Sequence, residues 1–447
     1  MKEKNLNRAV KYIESWIKYN FPFARAVGLV VALGHDDEVL FQKAYGMANM
    51  EKRILMRQGH LFRIASHSKM FTAVSLMQLV EQGELRLDEP LVIYLQWLKK
   101  AKDKRYLTIT ARHLLEHAAG VIRDGADPSY WELARPFPTK EELIKDLQST
   151  KLVFESNEHF KYSNYGFSIL GLLIEAISGL SYVDYLQKNI FSPLKMFHSG
   201  ADVNRAADKS YFATGYSIEN KALKRKPLSN PSTNAMAAAT GVYASAEDLC
   251  KFSRIFYKKN PVLSEMSRRD MTRIHWNVTE NKYDDFYGFG CNCEKIGLQN
   301  YSGHGGGFPG FITRTIIDTK SKITLVVLRN SLDGPNVAYK MIRIIQFFGG
   351  LNFSAASHKL DEYEGRYENN WGASDILNRG DRLVCSSPMQ WGIPEDVDEL
   401  KQVRKDEFII EKASGIAPLG ETVKFIRSNR KIVSMNYAGR KARRISQ

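Results

Sequence analysis

The stretch from Met70 to Val80, "MFTAVSLMQLV", is apolar on nearly every side at helical spacing, and Gly83 stands where such a helix stops. A helix without a polar face cannot rest on a surface. It has to be enclosed by other elements, so the chain must build a core several layers deep. Its 447 residues, 44% of them apolar, supply that core and suggest two or three domains.

What surrounds this helix sets the fold class. The N-terminus, "MKEKNLNRAVKYIESWIKYNF", alternates charged and apolar residues at the spacing of an amphipathic helix. "AVGLVVALGHDDEVLFQKAYG" then has two apolar runs flanking His35–Glu38, which predicts an antiparallel hairpin. From about Thr110 to Lys258 the pattern is mostly helical. Two long loops interrupt it, "RDGADPSYWELARPFP" and Asn220–Ala239, of the kind that is usually functional or mobile. A second hairpin, "GFITRTIIDTKSKITLVVLRNS", turns at Thr319–Ser321, and the helix "VAYKMIRIIQFF" runs to Gly349-Gly350. This order predicts an α+β domain over 1–352, with one antiparallel sheet flanked by the terminal helices and an all-helical subdomain. Around Asn352–Lys359 the texture turns short and polar. The runs beyond it ("YEGRY", "RLVCS", "EFIIE", "TVKFIR", "KIVSMNY") predict a small all-β barrel or sandwich over 353–447.

Composition excludes several classes. No stretch reaches 18 uninterrupted apolar residues, and the nearest, "YGFSILGLLIEAISGL", carries Glu175 and reads as a buried helix, so no membrane span is expected. The charged N-terminus lacks a signal-type apolar region, from which a cytoplasmic location is expected. Cys250, Cys291, Cys293 and Cys385 match neither a disulfide framework nor a zinc site, so buried or idle thiols, no metal and no cofactor are expected. The net charge of +15 comes from basic residues scattered among acids, densest in "RSNRKIVSMNYAGRKARRI" near the end. A solvated basic face is expected, and no nucleic acid.

"IASHSKMF" places Ser66 three residues before Lys69. The spacing alone decides little, because Ser15/Lys18, Ser192/Lys195 and Ser428/Lys431 repeat it. The setting differs. Ser66 opens the buried helix, where free backbone N–H groups favour developing negative charge. Positions three apart share a helix face, and burial disfavours a charged amine, so Lys69 can be a neutral base beside the Ser66 hydroxyl. Downstream, "FKYSNYG" sets Tyr162 and Asn164 before an apolar helix. "YSGHGGGFPGF" sets His304, Gly305, Gly306 and Gly307 before a strand, where a free edge N–H can complete an oxyanion hole. Tyr367/Asn369 and His198/Gly200 repeat these spacings too, so the order and setting of all three elements carry the signal.

With these elements in order, the chain resembles the serine β-lactamases of class C and the related penicillin-binding proteins, D-aminopeptidases and esterases. "LFRIASHSKMFTAVSLMQLVEQGELRLDEPL", "LTITARHLLEHAAGV", "FKYSNYGFSILGLLIEAISG" and "GHGGGFPGFITRTIIDTKSKITLVVLRN" are similar to that family's segments, over about residues 5 to 350. The C-terminal part resembles the lipocalin-like barrel that some members append.

The resemblance implies an acyl-enzyme mechanism. Ser66 would be the nucleophile, and Lys69 and Tyr162 would share general-base and general-acid work, with the lysine favouring ionisation of the phenol. Asn164 would hold Lys69 or the substrate amide. The backbone N–H groups of Ser66 and Gly307 would form the oxyanion hole, within a strand segment His304, Gly305, Gly306 and Gly307 that binds substrate. One departure matters: β-lactamases carry lysine, which helps bind the substrate carboxylate, where this chain has His304. That implies a serine hydrolase acting as peptidase or esterase on small amide or ester substrates or short peptides, including those with D-residues. The alternatives are a physiological β-lactamase and a non-catalytic scaffold of the same fold. The barrel offers a surface for homo-oligomer formation.

Overall fold

The computed structural model describes residues 3–206, 208–220, 222–278, 285–334, 336–351, 357–389, 397–413 and 418–446. The polar junction at Asn352 and most of the loop "SSPMQWGIPEDVD" lie outside the described residues. By packing, the chain forms two compact units, Arg25–Gly334 and Met1–Ala24 with Pro335–Gln447.

The central unit is α+β, as its sequence pattern predicts. Among the described residues its sheet has nine strands, every neighbouring pair antiparallel. In spatial order these are Ile54–Leu55, Glu38–Asn49, Gly28–His35, Ile323–Arg329, Phe311–Asp318, Gln299–Phe308, Asn292–Ile296, Asp285–Tyr287 and Trp276–Asn277. Both predicted hairpins are present, with His35 opposite Glu38 and Asp318 opposite Ile323. Ile323–Arg329 is buried along its whole length, which fits a continuous apolar run at the middle of a sheet.

The helix predicted from Met70 runs over Ser68–Glu81, and every residue from Ser68 to Leu79 is buried. Phe71 stacks on Phe252 at 3.8 Å, and the Asn164–Ser178 helix closes against Ala237–Thr240. A Cβ on Gly171 of that helix would come within 2.6 Å of Ala238 Cβ, so only glycine permits the approach. Among the described residues no single helix is long and apolar enough to cross a membrane. All four cysteines are unpaired and buried, and burial pushes the thiols of Cys250, Cys293 and Cys385 up to about 12.

In the second unit, eight sequential strands from Gly365–Asn369 to Arg440–Ser446 close into a barrel, the first pairing with the last. The basic run near the end of the sequence forms its last strands. Tyr363, Tyr367, Phe408 and Phe425 pack together inside it. The terminal helices Glu3–Asn20 and Val337–Gly349 belong to this unit. Arg366 pairs with Asp375 through two bonds of 2.7 and 2.8 Å, and Tyr12 from the first helix donates to the same carboxylate at 2.8 Å.

Candidate active site

Ser66 lies in a single turn, Ala65–His67, that leads directly into the buried helix. Ala65 is held at φ +50°, a left-handed conformation that costs a non-glycine residue about 1–3 kcal/mol. The turn is locked on both sides. His67 Nδ1 donates to Ile64 O at 2.8 Å and its Nε2 accepts from Thr315 at 3.0 Å, while Ser68 donates to Ala65 O at 2.6 Å. Ser66 stays partly exposed where its neighbours are buried.

One helical turn on, Lys69 Nζ lies 3.3 Å from Ser66 Oγ, 2.7 Å from Asn164 Oδ1 and 2.9 Å from Ala239 O. The side chain is fully enclosed. Burial holds its amine well below the usual lysine range; Asp124 opposes that shift and Arg123 adds to it. Once this amine has lost its proton it can accept one from the hydroxyl beside it.

Tyr162 and Asn164 come from the start of the Asn164–Ser178 helix. Ser163 caps it, its hydroxyl accepting from Gly166 N at 2.8 Å. The Tyr162 hydroxyl acts on the same Ser66 side chain electrostatically, and Lys69 Nζ sits 4.8 Å from the centre of its ring. Burial raises the Tyr162 phenol, and the influence of Ser66 only partly offsets this. The phenol therefore keeps its proton, unlike the lysine-favoured ionisation that the resemblance implies. It can pass a proton, but it does not rest as a phenolate.

The glycine segment lies inside the sheet, not on a true edge. Its strand, Gln299–Phe308, pairs with Asn292–Ile296 only as far as Gly303, whereas pairing with Phe311–Asp318 continues to Phe308. Among the described residues His304–Phe308 thus have one side left without a strand partner, and there they meet the Ser66 turn. Gly306 makes that approach sterically feasible, because a Cβ at this position would lie 2.2 Å from Ile64 O. Gly305 pairs with Arg314 and Gly307 with Ile312. His304 turns inward: Nδ1 donates to Gly305 O at 2.6 Å, and Nε2 accepts from Tyr287 at 3.1 Å. Burial and the nearby Lys69 and His67 hold its imidazole well below its ordinary value, so it is neutral.

The structure thus brings together Ser66, Lys69, Tyr162, Asn164 and the His304–Gly307 segment. It adds residues that the sequence reading did not single out. Asp124 accepts from Asn164 Nδ2 at 2.7 Å and from Trp131 Nε1 at 2.9 Å, fixing the amide so that its oxygen faces Lys69. His117 packs 4.3 Å from the Tyr162 ring and accepts from Ser163 N at 3.1 Å. Their signal was available, since Asp124 lies in the long loop after Val121 and His117 in the segment "LLEHAAGV". Among the described residues no cluster of three or more His, Cys, Asp or Glu is placed to hold a metal.

A serine, a lysine and a tyrosine meeting between an antiparallel sheet and an all-helical region is the arrangement of the serine β-lactamase and penicillin-binding class. The chain belongs to the Beta-lactamase family, whose profile matches residues 21–347. It is 27% identical over 321 residues to penicillin-binding protein 4* of Bacillus subtilis, covering 68% of each chain. It is 28% identical over 350 residues to the D-aminopeptidase of Brucella anthropi, covering 74% of this chain and 62% of that one. Among solved structures, the octameric penicillin-binding protein homologue from Pyrococcus abyssi superposes with a TM-score of 0.67 at 23% identity, covering 97% of this chain and 99% of that one. The D-amino acid amidase from Ochrobactrum anthropi SV3 superposes with a TM-score of 0.64 at 22% identity, over 77% and 98%. These last two likenesses are of fold.

Proposed function

We propose that the protein is a serine hydrolase that forms an acyl-enzyme through Ser66 on small amide or ester substrates. The observation that carries this reading is the buried Lys69 amine 3.3 Å from the Ser66 hydroxyl and 4.8 Å from the centre of the Tyr162 ring. Ser66 Oγ attacks the carbonyl carbon as its proton passes to Lys69, directly or through Tyr162. The backbone N–H groups of Ser66 and Gly307 receive the oxyanion. Tyr162 then returns a proton to the leaving amine or alkoxide, and water releases the acyl group by the reverse path.

Within that class we favour a peptidase or esterase over a dedicated β-lactamase. His304 is neutral, and both its ring nitrogens are engaged inside the protein, so it does not do the work of a strand lysine. The relative named as a D-aminopeptidase supports D-residue substrates. A panel of D- and L-aminoacyl amides, short-chain esters and nitrocefin, each run beside Ser66→Ala, tests the reading. Amides or esters should lead, with turnover lost in the variant. A clear lead for nitrocefin would favour the β-lactamase instead, and absence of fluorophosphonate labelling at Ser66 would remove the hydrolase reading.

A further inference from the structure

The strand that borders the Ser66 turn offers no free cation. His304 is neutral and internally bonded. The hydroxyls of Thr313 and Thr315 are spent on Ile64 O and His67. Arg314 is largely buried and paired with Glu294.

Across the cleft, Arg123 is arranged differently. Its carbonyl accepts from Asn164 N at 2.9 Å and Tyr165 N at 3.0 Å, so its backbone is tied to the start of the helix that delivers Tyr162 and Asn164. Its Nε donates to Asp124 Oδ2 at 3.0 Å, and Asp124 is itself held by Trp131 and Asn164. The guanidinium is thus gripped by one edge. Its carbon stands 5.4 Å from the centre of the Tyr162 ring. The side chain is 63% exposed against 12% for Asp124, and Nη1 and Nη2 have no partner among the described residues. A guanidinium fixed by Nε presents its outer two N–H groups as a planar fork, the geometry that takes a carboxylate with two parallel hydrogen bonds.

We propose that Arg123 forms an anion subsite at the mouth of the Ser66 cleft and selects substrates that carry a free carboxylate near the scissile bond. This rests on the acyl-transfer reading of Ser66. It transfers to a helical-side loop the recognition that the strand does not supply, and it makes the substrate class acidic peptides or amides in preference to neutral ones.

The test compares acetyl-D-alanyl-D-alanine with its C-terminal amide, with 4-nitrophenyl acetate run as a neutral ester. The wild type should favour the acid. In Arg123→Ala the ratio of kcat/KM for acid over amide should fall at least about tenfold, mostly through KM for the acid. Arg123→Lys should restore part of the ratio, since it keeps the charge but not the fork, and Arg123→Glu should reverse the preference. An unchanged ratio in Arg123→Ala, or a wild type that does not distinguish acid from amide while hydrolysing the ester through Ser66, overturns the subsite alone. Ester hydrolysis that survives Ser66→Ala overturns the hydrolase reading and the subsite with it.

Discussion

Lys69 Nζ stands 2.7 Å from Asn164 Oδ1 and 3.3 Å from Ser66 Oγ, so the amine is aimed by the amide more closely than by the hydroxyl beside it. Asn164 is aimed in turn by Asp124. Three side chains from three segments thus fix where one nitrogen points.

Removing the base while keeping a cation separates its roles. Arginine stays charged in proteins, so Lys69→Arg should lower kcat/KM at least about a hundredfold, and Ser66→Ala more than about a thousandfold. For the wild type, burial depresses the Lys69 amine, so kcat/KM should climb with pH well below 10.5, as the amine loses its proton. Steady-state kinetics across pH measure both; a Lys69→Arg enzyme keeping a tenth of wild-type activity would contradict the assignment.

Buried histidines should make the fold acid-sensitive. His67 is pushed down to about 3 by burial, against 6.5 for the free side chain. Above pH 6.5 neither state holds the proton, and below it only the unfolded chain does, so stability is lost as pH falls from 6.5 toward 3. The cost is about 1.4 kcal/mol per pH unit for one such group. His117 and His304, lowered by burial as well, add to the loss in the same direction. Urea unfolding at pH 7 and pH 5 should show the drop, and His67→Gln should make it shallower by roughly the contribution of one histidine.

Two adjacent glycines should respond differently. Gly306→Ala drives a Cβ toward Ile64 O, displacing the Ser66 turn, and should cost about 2–3 kcal/mol of stability together with most activity. A Cβ at Gly307 meets only Ile312 Cδ1 at 3.8 Å, so Gly307→Ala should fold with a Tm close to wild type. Thermal melts of the pair decide this, and equal losses in both would refute the steric account.

The barrel has its own weak point. Arg366 and Asp375 are 5% and 3% exposed, and truncating one leaves a buried charge alone. Arg366→Ala should cost about 3–5 kcal/mol, whereas replacing both with apolar residues should cost far less. Chemical denaturation followed by barrel tryptophan and tyrosine fluorescence reads the difference.

Much of this was legible in the sequence because it depends on local pattern. The all-round apolar helix, both hairpins and the Ser66/Lys69 pair follow from spacing within a few residues. The groups that the sequence did not announce act through partners far along the chain. Asp124 matters only once Asn164, forty residues on, is beside it, and Ala239 O reaches Lys69 from a short helix without any motif. The sequence places His304 in the segment expected to bind substrate. Its inward turn depends on Tyr287, which no residue next to it in the chain reveals.

The grouping of the terminal helices with the barrel has a consequence for synthesis. Asn5 donates to Leu351 O across 346 residues, and Arg8 reaches Asp361 and Glu364 still later in the chain. The first helix therefore leaves the ribosome with its amphipathic face uncovered, and the whole of Arg25–Gly334 is made before any of these partners. During that interval Leu6, Ile13 and Trp16, all buried in the finished protein, are open to chaperones and to neighbouring nascent chains. The helix that comes first in the chain is thus bonded by residues that are among the last to be made.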